Sequence, residues 1–362
     1  MESFNNRQVM TRKFAPHKLI GLLILIVSFA CGWLLMDIHS FMQTPLHLPE
    51  ADNAGPASEN PATDTSRWRY TIDPGKSLTA VAYDLERKKV LLHPRYLIWS
   101  ARLQGEAGKI KVGEYAFAAG TTVGEMLDKI THGDVIQYPL TIIEGWTFRQ
   151  LMHYISGLDG LEHSLAGLDA QAIMARLGKG DEHPEGRFFP DTYYYTRGMS
   201  DVQLLERAYL AMDQYLHKAW EGRDIGLPYT DPYQALIMAS IIEKETGVAS
   251  ERSQIAGVFI RRLEKNMRLQ TDPTVIYGLG MDFDGNLRRR DLLADSPYNT
   301  YRRNGLPPSP IAMPGADSIM AALHPDAGDS LYFVSRGDGT HYFSSTIDEH
   351  NRAVRKFQLK RH

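Results

Sequence analysis

The sequence predicts an α+β protein with an N-terminal transmembrane helix, a small α+β subdomain and a larger mixed α/β domain. Three observations lead to this prediction. An uncharged apolar run lies near the N-terminus, strand-like and helical patterns alternate between about residues 68 and 140, and the region from residue 141 onward carries most of the helical patterns. The chain has 362 residues, 43% of them hydrophobic, so it can bury one large core or two smaller ones.

The apolar run covers residues 19–36 and is just long enough to span a bilayer as a helix. Acidic residues follow it, beginning with Asp37, and four basic residues precede it: Arg7, Arg12, Lys13 and Lys18. The positive-inside rule then places residues 1–18 in the cytoplasm and the rest of the chain in the periplasm. A cleaved signal peptide is the alternative, but this run exceeds the apolar part of a typical one. We expect a retained single-pass anchor in the inner membrane.

Residues 37–66 lack periodicity and are rich in Pro, Ala, Asn, Ser and acidic residues, which predicts a periplasmic linker. The subdomain that follows is expected over residues 67–140. Its predicted strands cover residues 68–72 and 113–117, and its predicted helices cover residues 77–90, 94–104 and 123–131. The turn at Pro74-Gly75 before a helix, with the later strand, resembles a diverged LysM glycan-binding module. A plain α+β packing unit is the alternative. The remaining domain is expected over residues 141–362.

Charge and cysteine content exclude several kinds of site. The formal net charge is −3 and basic residues are mixed with acidic ones, so we expect no nucleic-acid partner. Cys31, the one cysteine of the sequence, lies in the apolar run, which leaves the periplasmic part without disulfides or a thiol nucleophile. The histidines follow no metal-binding spacing, and we expect neither a metal nor another cofactor.

A helix is predicted over residues 232–246, with Asp231 as its N-cap and Gly247 as a left-handed residue after its last turn. Glu243 and Glu245 lie in this last turn. The negative end of a helix dipole and burial among apolar residues both favour a protonated carboxyl group, which can donate its proton to a leaving-group oxygen. Periodicity does not choose between the two glutamates. The alternative is a solvated helix end.

Four segments of this domain mix turn residues with aromatic and hydrogen-bonding side chains. Sugar rings present apolar faces and a rim of hydroxyl groups, so loops of this kind suit a carbohydrate cleft. Capped structural loops are the alternative for each segment. The segments cover residues 185–193, 269–278, 296–301 and 305–311.

Three blocks of the sequence are Ser-Ile-Ile-Glu-Lys-Glu-Thr at residues 240–246, Gln-Thr-Asp-Pro-Thr-Val-Ile-Tyr-Gly and Ser-Pro-Tyr-Asn-Thr-Tyr. In these blocks and in their order, the chain resembles the endolytic murein transglycosylase (MltG/YceG-like) family. The resemblance runs from about Trp68 to the C-terminus. It implies a lyase that cuts the β-1,4 bond between N-acetylmuramic acid and N-acetylglucosamine without water, leaving a 1,6-anhydro end. It also implies that Glu243 is the catalytic acid and base, with Glu245 and Ser240 in supporting roles.

The nucleophile in such a reaction is the C6 hydroxyl of the substrate, so a second catalytic carboxylate is not required. The residues we expect to contact substrate are Gln270, Asp272, Tyr277, Tyr298, Asn299, Thr300 and Asp191. The resemblance implies three partners: peptidoglycan glycan strands, the inner membrane and peptidoglycan synthases. It also implies that the protein has a role in terminating glycan polymerisation. A hydrolytic muramidase and a membrane-tethered glycan-binding scaffold without catalysis remain alternatives.

Overall fold

The computed structural model describes residues 16–49 and 67–359, and the chain forms two compact units, Met1–Gln137 and Tyr138–His362. Residues 1–15 of the predicted cytoplasmic tail and residues 50–66 of the predicted linker lie outside the described residues. Both units combine helices with short antiparallel strand pairs, which confirms the predicted α+β class.

The first unit contains a long N-terminal helix, a β-α-α-β segment and a closing helix. Its elements are α1 (Pro16–Met42), β1 (Trp68–Ile72), α2 (Leu78–Arg87), α3 (Pro94–Leu103), β2 (Gly113–Phe117) and α4 (Val123–His132). Strands β1 and β2 pair antiparallel, with Tyr70 opposite Tyr115. The side chains of Ser77 and Thr122 accept hydrogen bonds from the first turns of α2 and α4, and so fix where these helices begin. The likeness to a LysM module stays a prediction.

Helix α1 is long and apolar enough to cross a membrane, and the side chains of its apolar part are exposed. The helix does not stop where the linker was predicted to begin. It continues to Met42, and Ile38, Phe41, Met42 and Leu46 are buried in the core of the first unit. This part of the linker prediction was wrong, because the spacing of Ile38, Phe41 and Met42 gives the helix one apolar face that packs on α3 and α4.

The second unit is mostly helical. Its helices are α5 (Phe148–Ser156), α6 (Ala170–Arg176), α7 (Asp201–Glu221), α8 (Pro232–Glu245), α9 (Arg252–Glu264), α10 (Asp272–Leu279), α11 (Arg289–Leu293), α12 (Ala316–Leu323) and α13 (Ile347–Phe357). Two antiparallel pairs complete it, β3 (Tyr138–Thr141) with β4 (Thr192–Tyr195), and β5 (Tyr332–Ser335) with β6 (His341–Ser344).

Helix α8 lies at the centre of this unit. Every residue from Ala235 to Ile242 is buried, because α7, α9, α10 and α12 all pack against it. This explains why the sequence is apolar all around the helix rather than on one face. The core therefore holds the last turn of α8 in a fixed position.

Both ends of α8 depend on local side chains. Asp231 Oδ1 accepts a hydrogen bond from Gln234 N at 3.0 Å, which confirms the predicted N-cap. The predicted left-handed end at Gly247 is wrong: the helix ends in extended backbone at Thr246, with φ −144°. Thr246 Oγ1 accepts a hydrogen bond from Val248 N at 3.0 Å, and this bond sets the exit of the chain without a left-handed residue.

Candidate active site

The last turn of α8 directs two carboxylates to different surroundings. Glu243 and Glu245 are two residues apart, which corresponds to about 200° around a helix, so they point in nearly opposite directions. Each carboxylate meets a different part of the second unit.

The Glu243 carboxylate caps the N-terminus of α12. Its Oε2 accepts hydrogen bonds from Gly315 N at 3.0 Å and from Ser318 Oγ at 2.7 Å. Gly315 is the N-cap residue of α12, so the carboxylate faces the positive end of that helix dipole. These contacts give Glu243 a role in holding α12 against α8.

Glu144 lies beside this contact. A methyl group added at Gly315 would overlap the Glu144 carboxylate, so this side chain rests directly on the Gly315 backbone. Burial raises the pKa of Glu144, and the negative charge of Glu243 raises it further. The sequence did not point to Glu144, because the Glu144-Gly145 turn precedes Glu243 by about a hundred residues in the chain.

Glu245 faces a cavity of about 580 Å³. Its carboxylate accepts a hydrogen bond from Thr271 Oγ1. Burial raises the pKa of Glu245 to about 7, and the charge of Asp272 contributes in the same direction, although the Thr271 bond lowers it. A carboxyl group with this pKa is partly protonated at neutral pH, which is the property required of a general acid.

The loop before α10 forms one wall of the cavity. Gln270 in this loop and Asp272, the first residue of α10, both line the cavity, and their contact with substrate stays a prediction. Gln270 has φ 54°, a left-handed conformation that is unusual for a residue with a side chain, and its N–H bonds to Thr300 O at 3.2 Å. Asp272 Oδ1 accepts a hydrogen bond from Tyr301 OH at 2.6 Å, which brings Tyr301 into the same wall.

The C-terminal hairpin and α13 form the opposite wall, which sequence reasoning did not assign to the site. Tyr332, His341 and His350 line the cavity. His341 is fixed by Glu251, whose carboxylate accepts hydrogen bonds from His341 N at 2.9 Å and pairs with His341 Nδ1 at 2.7 Å. The resemblance to the YceG-like family runs to the C-terminus and so includes this hairpin, and this was the one sequence signal for it.

Arg262 connects these walls. Its guanidinium donates to Leu331 O at 2.7 Å and to Leu269 O at 2.7 Å, so it joins the start of β5 to the loop before α10. Burial lowers the pKa of Arg262. The buried side chain thus determines the spacing of the walls.

Tyr277 and Tyr298 do not line the cavity of Glu245. Their rings contact each other edge to face, with centroids 4.9 Å apart. Tyr277 OH donates to Glu185 Oε2 at 3.0 Å, and Tyr298 OH shares a hydrogen bond of 2.7 Å with Ser309 Oγ. Tyr277 lines another cavity, of about 510 Å³, which Lys244 and Met281 also line.

Asn299, Thr300 and Ser240 are buried and bonded to their own surroundings. Asn299 Nδ2 donates to the carbonyl oxygens of Asp291, Leu292 and Ala294, and its Oδ1 accepts from Tyr301 N. Thr300 Oγ1 accepts from Thr271 N at 3.1 Å. Ser240 Oγ accepts from Ile311 N at 3.0 Å, which attaches the loop before α12 to α8. These bonds hold the loops around Asn299 and Thr300 in place, and the contact of both residues with substrate stays a prediction.

Asp191 is exposed at the start of β4, where its Oδ1 accepts a hydrogen bond from Thr192 N at 2.6 Å. It is not among the residues that line the cavity of Glu245. Within residues 16–49 and 67–359, no group of three or more His, Cys, Asp or Glu side chains is arranged to hold a metal ion.

Comparison with known proteins identifies the family of this chain. The model of the YceG-like family matches residues 70–356. An endolytic murein transglycosylase from Bacillus subtilis (strain 168) is 32% identical over 305 residues, covering 79% of this chain and 83% of the relative. One from Streptococcus pneumoniae serotype 2 is 26% identical over 319 residues, covering 78% of this chain and 57% of the relative.

A solved structure is also similar. The crystal structure of a yceG-like protein from Listeria monocytogenes has 31% sequence identity and a TM-score of 0.51, covering 80% of this chain and 99% of that one. The family match spans most of the described part of the chain and includes all the residues that line the cavity around Glu245 except Gln358. This chain belongs to the YceG-like family.

Proposed function

We propose that this protein is an endolytic murein transglycosylase that cuts the bond between N-acetylmuramic acid and N-acetylglucosamine in peptidoglycan strands and leaves 1,6-anhydro ends. Membership of the YceG-like family and the names of the relatives support this class of activity. The observation that carries the proposal is geometric: the Glu245 carboxylate lines a cavity of about 580 Å³ together with Gln270 and Asp272, and burial there raises its pKa.

The proposal assigns the acid to Glu245, although the resemblance alone pointed to Glu243. Glu243 accepts hydrogen bonds from Gly315 N and Ser318 Oγ at the start of α12, so its carboxylate is already engaged in holding that helix. Glu245 has no backbone N–H donor among its hydrogen bonds in the described residues, and it lies where a sugar ring has room to enter.

One carboxyl group, that of Glu245, carries out both proton transfers of the reaction. Glu245 donates its proton to the glycosidic oxygen as the bond to C1 breaks, and the N-acetylglucosamine part leaves as an alcohol. The Glu245 carboxylate then accepts the proton of the muramyl C6 hydroxyl as this oxygen bonds to C1. Glu245 ends protonated, as it began, and no water is consumed.

Other cavity residues have roles that fit this reaction. The Asp272 carboxylate supports Glu245 in two ways: its charge disfavours ionisation of Glu245, and it stabilises positive charge that develops near C1. Tyr301 holds Asp272 through its hydroxyl group, and Gln270 offers amide groups to sugar hydroxyls. The Tyr332 ring stacks on His350 at 5.3 Å and contacts the Arg262 guanidinium, so it helps to hold this wall of the cavity.

Helix α1 is proposed as a retained membrane anchor with its N-terminus in the cytoplasm. The exposed apolar side chains and the preceding basic residues support this orientation. An anchored enzyme would meet glycan strands as they leave their synthases, so cutting there would end polymerisation. Peptidoglycan synthases are the proposed neighbours.

The test is mass analysis of muropeptides released from uncrosslinked glycan strands by the full chain, by Glu245→Gln and by the matched variant Glu243→Gln. We expect anhydro ends from the parent, a loss of rate of about 10²–10⁴-fold in Glu245→Gln, and a much smaller loss in Glu243→Gln.

Each alternative has its own result. Reducing ends from the parent would identify a hydrolase, and binding without cleavage would identify a scaffold. A large loss in Glu243→Gln with an active Glu245→Gln would return the acid to Glu243.

A further inference from the structure

We propose that the C-terminal end of α3, with Trp99, Arg102 and Leu103, lies in the headgroup layer of the bilayer that α1 spans, so that the first unit docks on the membrane surface. The inference rests on the proposed anchor. It replaces a freely tethered first unit with one held in a fixed orientation.

The first step is the rigid connection between α1 and the first unit. The helix runs without a break from its apolar part to Met42, and its last turns are buried in the core. Tyr96 OH on α3 donates to Asp37 Oδ2 at 2.7 Å, and the rings of Phe41 and Tyr96 contact edge to face at 5.6 Å. The direction of α1 therefore fixes which face of the first unit meets the membrane.

The second step is the depth of α3. A cavity of about 340 Å³ is lined by Leu35 and Ile38 of α1 together with Leu103 and Gln104 at the end of α3. Leu35 belongs to the apolar run of residues 19–36, and His39, Met42 and Gln43 line the same cavity, so the end of α3 lies beside the stretch of α1 from the last turn of this run to Gln43. At ~1.5 Å per residue, Met42 is about 10 Å beyond Leu35, whereas the headgroup layer is ~5–8 Å thick on each side. The headgroup layer therefore begins beside the part of α1 that the end of α3 faces, and this is why we place the end of α3 in that layer.

The third step is the chemistry of the exposed face. Trp99, Arg102 and Leu103 are spaced i, i+3 and i+4, so they share one side of α3. Leu103 is 69% exposed and Trp99 41% exposed, and the Trp99 ring stacks on Tyr96 at 6.1 Å. Tryptophan favours the membrane interface, and arginine can extend its guanidinium to lipid phosphates while its stem contacts apolar groups. A lipid bilayer is the partner that suits all three side chains.

The experiment uses the full chain in vesicles of phosphatidylethanolamine and phosphatidylglycerol that carry bromine atoms at shallow or deep acyl positions. The chain has five tryptophans, and variants that keep only Trp33 or only Trp99 replace the other four with phenylalanine. Trp33 lies about 4.5 Å inside the end of the apolar run, so we expect shallow bromines to quench both tryptophans and deep bromines to quench Trp33 more than Trp99. Leu103→Glu in the Trp99 variant should reduce the quenching of Trp99 at least twofold and leave the quenching of Trp33 unchanged in the matching variant.

The outcomes separate the inference from the anchor. Quenching of Trp33 without quenching of Trp99 would overturn the docking of the first unit and leave the anchor intact. Absence of quenching at both positions would overturn the anchor and the inference together. Quenching of Trp99 that Leu103→Glu does not reduce would contradict contact through this face. Because Leu103 is exposed, the substitution leaves the core unchanged, and an unaltered circular dichroism spectrum checks this.

Discussion

Thr271 donates a hydrogen bond to the carboxylate of Glu245, and the bond joins the last turn of α8 to the N-cap position of α10. The hydrogen bond favours the charged carboxylate, whereas burial and the charge of Asp272 favour the protonated form and raise the pKa of Glu245 to about 7. The protonation state of this carboxyl group is thus determined by residues from a separate helix.

The pH dependence of cleavage is the first prediction. Because Glu245 must be protonated to donate, kcat/KM should fall as pH rises through about 7. Replacing Thr271 with valine removes the bond that lowers this pKa, so the fall should move to higher pH. Profiles of kcat/KM for the parent and Thr271→Val measure the shift. A shift to lower pH, or none, would contradict the assignment of the acid.

The pH dependence of stability is the second prediction. The pKa of Glu245 is raised in the folded state from 4.5 to about 7, so folding is most favoured below pH 4.5 and this contribution is lost as pH rises through 7. Glu245→Gln, which stays neutral, should therefore have a higher Tm than the parent at pH 8 and about the same Tm near pH 4. Glu243→Gln is the control: its amide oxygen can still accept from Gly315 N and Ser318 Oγ, but it removes the charge that faces the start of α12, so it should lower Tm at pH 8. Equal Tm values for parent and Glu245→Gln at pH 8 would mean that burial does not penalise the charge.

Local sequence rules predicted much of this fold. Strands β1 and β2 lie where the alternating patterns indicated, and Asp231 caps α8 as its side chain and the following proline suggested. These features depend on residues within one turn of each other. The same rules failed at residues 37–42, where composition suggested a linker and the apolar spacing of Ile38, Phe41 and Met42 received too little weight.

The choice between Glu243 and Glu245 could not follow from local rules. Glu243 is held by residues 72 and 75 positions later in the chain, and Glu245 by one 26 positions later. Periodicity places both glutamates at one helix end and says nothing about what each will meet. Asn299 and Thr300 illustrate the same limit, because polar residues in a turn-rich block fit substrate contact and loop structure equally well.

Asn299 provides the third prediction, which concerns stability. Asn299→Ala removes three hydrogen bonds to the carbonyl oxygens of Asp291, Leu292 and Ala294 at a buried site, so it should lower the free energy of unfolding by about 2–4 kcal/mol. Tyr301→Phe removes only the hydroxyl that holds Asp272. Compared with Asn299→Ala, it should lower the free energy of unfolding less and the rate of strand cleavage more. Urea unfolding and strand cleavage measure both variants. Normal stability of Asn299→Ala together with a raised KM would support the predicted contact of Asn299 with substrate.

The packing of Glu144 on Gly315 provides the fourth prediction. Gly315→Ala should push the Glu144 carboxylate away, since the new methyl group would occupy its position, and should destabilise the protein by about 1 kcal/mol. Glu144→Ala removes a negative charge near Glu243 and Asp317 and makes room for the methyl group, so Gly315→Ala should cost less in that background. A double-mutant cycle of unfolding free energies measures the difference, which we expect to be about 0.5–1 kcal/mol for side chains in contact. Additive effects of the two substitutions would show that Glu144 does not rest on Gly315 in solution.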